Sequence, residues 1–198
     1  VQQFESHIRD TSDIINKVEG VSFHTEQEFL VTLDIEALYT NIPQQAAIYA
    51  VEQVLIRDPG ERPNKFIVDC LTIVLTQNFF EFEDTLYQQL KGVSMGASCA
   101  PNVANAFMGI FEEQHIFNEI APFYENVRLW SRYIDDIFFI WTGDEEDLCQ
   151  FLLWLNACNS NLKFTENISK IKVEFLDLYI QNKEGLLEVN LYTKPTAR

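Results

Sequence analysis

The stretch RYIDDIFFIW, residues 132–141, sets two adjacent carboxylates, Asp135 and Asp136, between runs of aromatic and β-branched residues. Tyr, Ile, Phe and Trp in such density favour extended strands, and an Asp-Asp pair suits the reversal between them. One reading is therefore a plain hairpin tip. The flanks are too apolar for a hairpin that faces water, however, and two carboxylates near a core repel one another unless something compensates them. A divalent cation is the obvious compensator. From these ten residues alone both readings stand.

Composition narrows the field. With 198 residues, 47% of them hydrophobic, the chain can bury one sizeable core and does not require two domains. Sixteen Phe, seven Tyr and three Trp exclude disorder. The cysteines, Cys70, Cys99, Cys149 and Cys158, lack the close pairing of a zinc site and the density of a disulfide scaffold, so they read as reduced and mostly buried. His7, His24 and His115 are equally scattered. A polar N-terminus and no apolar run of roughly 18 residues point to an intracellular protein with no membrane partner. The net charge of −16 is spread along the whole chain and forms no basic patch, which opposes attraction to a phosphate backbone and argues against a complete nucleic-acid enzyme.

Along the chain, strands and helices interleave, which predicts an α+β fold. Two helical stretches, PQQAAIYAVEQVLIR and KFIVDCLTIVLTQN, flank a Pro- and Gly-marked surface loop at residues 57–64. Residues 79–90 alternate around Glu83-Asp84-Thr85 as a hairpin would. The longest helical stretch starts at Ala100, with Ala104, Phe107, Met108 and Phe111 on one face. DEEDLCQFLLWLNACN opens acidic and turns amphipathic, so Asp144 to Asp147 read as a solvated helix start. A closing hairpin is expected around Asn182 to Gly185.

One further carboxylate belongs with the Asp135-Asp136 pair. In VTLDIEALYTNIP, residues 31–43, Phe29 to Leu33 form a short apolar strand with Asp34 at its end. Phosphoryl displacement assisted by two cations needs carboxylates from separate strands converging on one point. Asp34, Asp135 and Asp136 could supply them, although Asp34 alone would pass as a helix cap or strand end.

Three stretches then occur in the order and spacing of reverse transcriptase palm motifs. LDIEALYTNIP resembles the first, QLKGVSMGASCAPNVANAF the second and YIDD the third. The forms LYTNIP, GVSMGASCAPNVANAF and FLDLYI followed by LYTKPT resemble Penelope-like retroelements, and IRDTSDII at residues 8–15 is similar to the segment before the palm in that family. The resemblance implies a right-hand polymerase palm, a small antiparallel sheet backed by helices, with part of the fingers. It implies that Asp34, Asp135 and Asp136 are catalytic and hold two Mg²⁺ ions, with Mn²⁺ a possible substitute, aided by the backbone carbonyl of Ile35. Tyr39 matches the aromatic gate beneath the incoming sugar, where a core tyrosine is the plainer reading. Gln89, Gly92, Met95 and Gly96 match the nucleotide- and template-facing second motif, Gly92 being otherwise a hairpin exit. Pro101 and Asn105 would start the supporting helix. Tyr133 would pack near the primer end or be a buried strand residue. Asp177 of FLD reads as structural. Lys163 falls near a leaving-group lysine of related polymerases, though an exposed strand lysine is the simpler reading.

The function implied is that of an RNA-directed DNA polymerase core of a retroelement, a reverse transcriptase taking RNA template, DNA primer and deoxynucleoside triphosphates, located in the nucleus. Residues 1–33 carry only Arg9 and Lys17, where a basic fingers segment is expected, and thumb and endonuclease would lie beyond residue 198. Residues 1–198 thus read as a palm-centred reverse transcriptase domain that is a poor enzyme by itself. The alternative is an inactive domesticated remnant acting as a protein-interaction module, and nuclease chemistry is a weaker third.

Overall fold

The most apolar strand segment of the chain is also its most deeply buried. In the computed structural model, which describes residues 4–57 and 60–192, Ile137, Phe138, Phe139, Ile140 and Trp141 are all fully buried. A strand covered on both faces reads as a continuous apolar run instead of an alternation. Asp58 and Pro59 of the expected loop, and Thr193 to Thr196 of the LYTKPT motif, lie outside the described residues.

In chain order the elements are α1 (Thr11–Val18), β1 (Glu28–Ile35), α2 (Leu38–Asn41), α3 (Gln44–Arg57), α4 (Asn64–Thr76), β2 (Phe79–Phe82) and β3 (Thr85–Gln88). There follow α5 (Ala100–His115), β4 (Val127–Tyr133), β5 (Asp136–Thr142), α6 (Glu145–Cys158), β6 (Phe164–Ser169), β7 (Lys172–Phe175), β8 (Leu178–Lys183) and β9 (Leu186–Leu191). This mixture of helices and small antiparallel sheets is the predicted α+β architecture. The expected helices and hairpins form where the patterns placed them. The chain divides into two compact units, one made of described residues within 37–111 and the other of residues 4–36 and 112–192.

The second unit is built on a four-stranded sheet in the order β4-β5-β1-β6. Its two central strands run antiparallel from Glu28 opposite Thr142 to Asp34 opposite Asp136. One face carries Phe139 and Trp141, whose rings pack on Phe151 of α6 at centroid distances of 5.7 and 5.1 Å. Asp144 caps α6 by accepting the Asp147 N–H, so the acidic run is a helix start as expected. The opposite face carries Leu30, Phe138 and Ile140, packed with Ile14 and Val18 of α1 and with Val173, Phe175, Ile180 and Leu187 of the β7-β8-β9 sheet. The predicted closing hairpin is β8–β9, and β7 is an additional strand joined to β8 through the FLD turn.

The first unit contains α2, α3, α4, the β2–β3 hairpin and most of α5. The single turn of helix at α2 was not anticipated. Ala104, Phe107, Met108 and Phe111 of α5 are buried, as their spacing predicts. The hairpin turns at Glu83 and Asp84, both left-handed at φ +47° and +57°, the conformation that a two-residue turn between twisted strands needs.

One expectation fails. The cysteines are unbridged, but Cys70 and Cys149 are exposed and Cys99 and Cys158 only half-buried. Cys70 and Cys149 lie on helix sides that the apolar pattern does not turn inward, and cysteine's small side chain tolerates either environment.

The Phe151 ring, wedged among Phe123, Phe139, Trp141 and Trp154, is 1% exposed. Phe151→Ala is expected to lower unfolding free energy by about 3–5 kcal/mol in chemical denaturation, with the midpoint moved and the slope unchanged.

Candidate active site

Pairing of β1 with β5 decides where the carboxylates go. Asp34 lies directly opposite Asp136, so both side chains leave the same face of the sheet. Tyr133 of β4 is opposite Asp136 in turn, and Thr165 of β6 is opposite Asp34. Four polar side chains thus form a row across four strands. The sequence placed Asp135 and Asp136 together at the hairpin tip, and the structure corrects this by one residue. The two-residue tip is Ile134-Asp135, while Asp136 already belongs to β5, because Tyr133 pairs with Asp136. Asp34 likewise lies one residue inside the end of its strand.

The tip is tied back to β1, with the Ile35 N–H donating to the Asp135 carbonyl at 3.3 Å. Ile134 sits at φ +54°, a conformation a β-branched residue rarely adopts. Asp34 is exposed, whereas Tyr133, Asp135 and Asp136 are half-buried and Ile35 is buried. Asp34 and Asp136 line a cavity of about 180 Å³ together with Thr165, Asn167, Glu174 and Phe175. Thr165, Asn167 and Glu174 escaped the sequence reading. The signal for Thr165 and Asn167 was strand alternation in FTEN, where the register beside Asp34 sets both on one face.

Loss of hydration, reinforced by the charges of Asp135 and Glu36, holds the Asp34 carboxyl above the ordinary aspartate range. Among the described residues, no three His, Cys, Asp or Glu side chains are gathered closely enough to enclose an ion by themselves. The donor set is nevertheless all oxygen, and Asp34 feels the like charges of Asp135 and Glu36, a chemistry that suits a hard divalent cation. Lys163 is exposed, as expected, and its ammonium is held by Glu36 at 2.7 and 2.9 Å. Asp177 belongs to the β7–β8 turn, and its carbonyl accepts the Tyr192 N–H at 2.8 Å.

In the other unit, the second motif meets α2. Gly92 sits at φ +77°, and a Cβ there would lie 2.7 Å from the Thr40 Cα and carbonyl oxygen. Next to it, the Val93 N–H donates to the Tyr39 carbonyl at 2.7 Å. Gly92 therefore serves a close approach of protein backbone, at the half-buried Tyr39. Gln89 is spent locally, its amide donating to the Lys91 carbonyl and accepting from Asn78. Met95 is 68% exposed, and a Cβ on Gly96 would meet open space. Pro101 and Asn105 stand in the first turns of α5, Asn105 buried.

A small antiparallel sheet backed by helices, with carboxylates at the end of one central strand and in the adjoining turn, is the palm of a nucleic-acid polymerase. The sequence matches the reverse transcriptase (RNA-dependent DNA polymerase) family over residues 1–186, and the chain belongs to that family. Among solved structures, it is similar in fold to telomerase from Candida albicans in complex with a fragment of telomeric RNA, with a TM-score of 0.74 and 13% identity over 97% of this chain. A C-terminally truncated apo telomerase from Candida tropicalis gives 0.66 and 15% over 94%. The RNA-dependent RNA polymerase of a human picobirnavirus gives 0.57 and 11% over 86%. The chain spans 41%, 36% and 32% of the Candida tropicalis, Candida albicans and viral chains, respectively. No curated protein matches the sequence. Among the described residues, no helix is long and apolar enough to cross a membrane.

Two predictions follow from this geometry. Because the folded Asp34 binds its proton more tightly than the unfolded chain does, its contribution to stability is full below the ordinary aspartate range and is lost as pH rises through the folded value. In chelator-treated protein, Asp34→Asn should raise the melting midpoint at pH 7, and that gain should shrink as pH falls towards the aspartate range. The glycines should separate as well. Gly92→Ala should cost about 1–3 kcal/mol for the left-handed backbone alone, with the clash on Thr40 added. Gly96→Ala should leave thermal stability unchanged, so any loss of activity it causes would report the approach of a ligand.

Proposed function

We propose that this chain is the catalytic core of an RNA-directed DNA polymerase that joins a deoxynucleoside triphosphate to a primer 3′-hydroxyl on an RNA template. The observation that carries the reading is the pairing of Asp34 with Asp136 across neighbouring strands, with Asp135 in the adjoining turn and its charge felt at Asp34. Membership of the reverse transcriptase family supports it.

Asp34, Asp135 and Asp136, with the Ile35 carbonyl, are the groups that would hold two Mg²⁺ or Mn²⁺ ions. Such ions, when bound, supply charge stabilisation at the attacking and leaving oxygens of an in-line displacement. The chain's own residues do the positioning. Tyr39 would lie beneath the sugar of the incoming nucleotide and sterically exclude a 2′-hydroxyl. Gly92 sets the path of the second motif beside Tyr39. Met95 and Gly96 would border nucleotide and template, and Gln89, whose amide is bonded locally, would do so only by exchanging those bonds. Tyr133, in the same cross-strand row as Asp136, would pack near the primer end. The forms LYTNIP, GVSMGASCAPNVANAF and FLDLYI support an origin in a Penelope-like retroelement and, with it, action in the nucleus.

Charge sets a condition on activity. A triphosphate brings about four negative charges to a site that already holds three carboxylates, and the chain carries a net charge of −16. Basic surface from outside these 198 residues would be needed to hold primer and template, so the isolated chain should extend a primer poorly.

The test is primer extension on an RNA template with the complete gene product. Asp135→Asn, nearly isosteric but uncharged, should reduce it by about 1,000-fold or more, since a metal-held charge is worth several kcal/mol in the transition state. Full extension by the Asp135→Asn variant would refute the assignment.

A further inference from the structure

Arg132 precedes the YIDD turn and has no part in the reading above. Its guanidinium is completely buried, an environment that demands partners for its donors. Nε and Nη2 donate to the two oxygens of Glu112 at 2.7 and 3.2 Å, and Nη1 donates to the backbone carbonyl of Ile134 at 3.2 Å. Glu112, also buried, accepts in addition from the Ser6 hydroxyl at 2.5 Å and the Trp130 indole N–H at 2.8 Å. The backbone of Arg132 is pinned on its outer side, with its N–H on the Ser6 carbonyl at 2.7 Å and its carbonyl taking the Ile8 N–H at 3.0 Å.

An ion pair that only filled the core would not need the bond to Ile134. That residue holds the left-handed conformation of the tip, which persists only where the surroundings over-determine it. Arg132 pairs with Ile137 across β4 and β5, so its side chain leaves the face opposite to Tyr133, Asp136 and Asp34. The guanidinium therefore grips the turn from behind and leaves the carboxylate side open. A planar fork can serve Glu112 and the turn carbonyl together, which the point charge of a lysine cannot.

We propose that Arg132, oriented by Glu112, is a positioning residue that fixes the Ile134-Asp135 turn so that Asp135 is presented towards Asp34. Its consequence for catalysis rests on the polymerase reading, whereas its consequence for the turn rests on geometry alone. Removing one partner would leave a buried charge unpaired and could unfold the protein for trivial reasons, so the decisive variant removes both. Exchanging a buried ion pair for apolar side chains of similar volume is often tolerated.

The experiment compares Arg132→Met/Glu112→Met with the unaltered protein in the complete gene product, by thermal unfolding, amide hydrogen exchange at residues 133–137 and steady-state primer extension. The expected result is a retained cooperative transition and faster exchange confined to the turn. With it should come a fall in kcat of about 10–100-fold, the scale of a small misplacement of reacting groups, with the nucleotide KM unchanged. Unchanged exchange and unchanged kcat would overturn the proposal. Should the double variant not fold, Arg132→Lys, which keeps a charge on Glu112, is judged by the same two readouts and the same two outcomes. If the unaltered protein shows no Asp135-dependent extension while the variant's turn exchanges faster, the polymerase reading falls and the positioning role stands.

Discussion

The antiparallel pairing of β1 with β5 is the constraint on which the candidate site depends. It sets two aspartates side by side at the ends of strands that are otherwise almost wholly apolar. Like charges directly opposite one another destabilise a sheet, and the partial loss of hydration that holds the exposed Asp34 above its ordinary titration range adds to that cost. The sheet tolerates the arrangement because cores on both of its faces hold the register. A slip of one residue would turn Phe138 and Ile140 out of one core and Phe139 and Trp141 out of the other. Packing therefore enforces an electrostatic arrangement that electrostatics alone would oppose.

The turn that carries Asp135 is constrained in the same manner. Ile134 takes a backbone conformation unfavourable to its own side chain, and hydrogen bonds reach its neighbourhood from β1 and from the buried guanidinium of Arg132. In the other unit, Gly92 allows two backbones to touch where any side chain would forbid it.

Much of this was legible beforehand. Asp34 and the Asp135-Asp136 pair stand out because charged residues interrupt strand-forming runs, and α3, α4, α5 and α6 follow from helical spacing with turn residues between them. The exact tip of the third motif was not legible. Two adjacent aspartates look like the turn itself, and only cross-strand pairing shows that Ile134 takes the first turn position and Asp136 the first of β5. Thr165, Asn167 and Glu174 were missed because their strands carry no composition signal of a site and reach the cavity only through the sheet order. The exposure of Cys70 and Cys149 was misjudged because residue type alone says little about which side of a helix faces the core.

By itself, the sequence determined the element types, the apolar identity of the central strands, the three acidic positions and the family to which the chain belongs, since these are properties of local pattern and motif order. Tertiary structure alone decided that Asp34 faces Asp136, that Gly92 is needed against Thr40, and that a buried Arg132 joins Glu112 to the Ile134 carbonyl. The physical reason is separation along the chain. Asp34 and Asp136 are brought together by strand register, Gly92 and Thr40 by backbone contact, and Arg132 and Glu112 by shared burial, and none of these leaves a trace in the spacing of neighbouring residues.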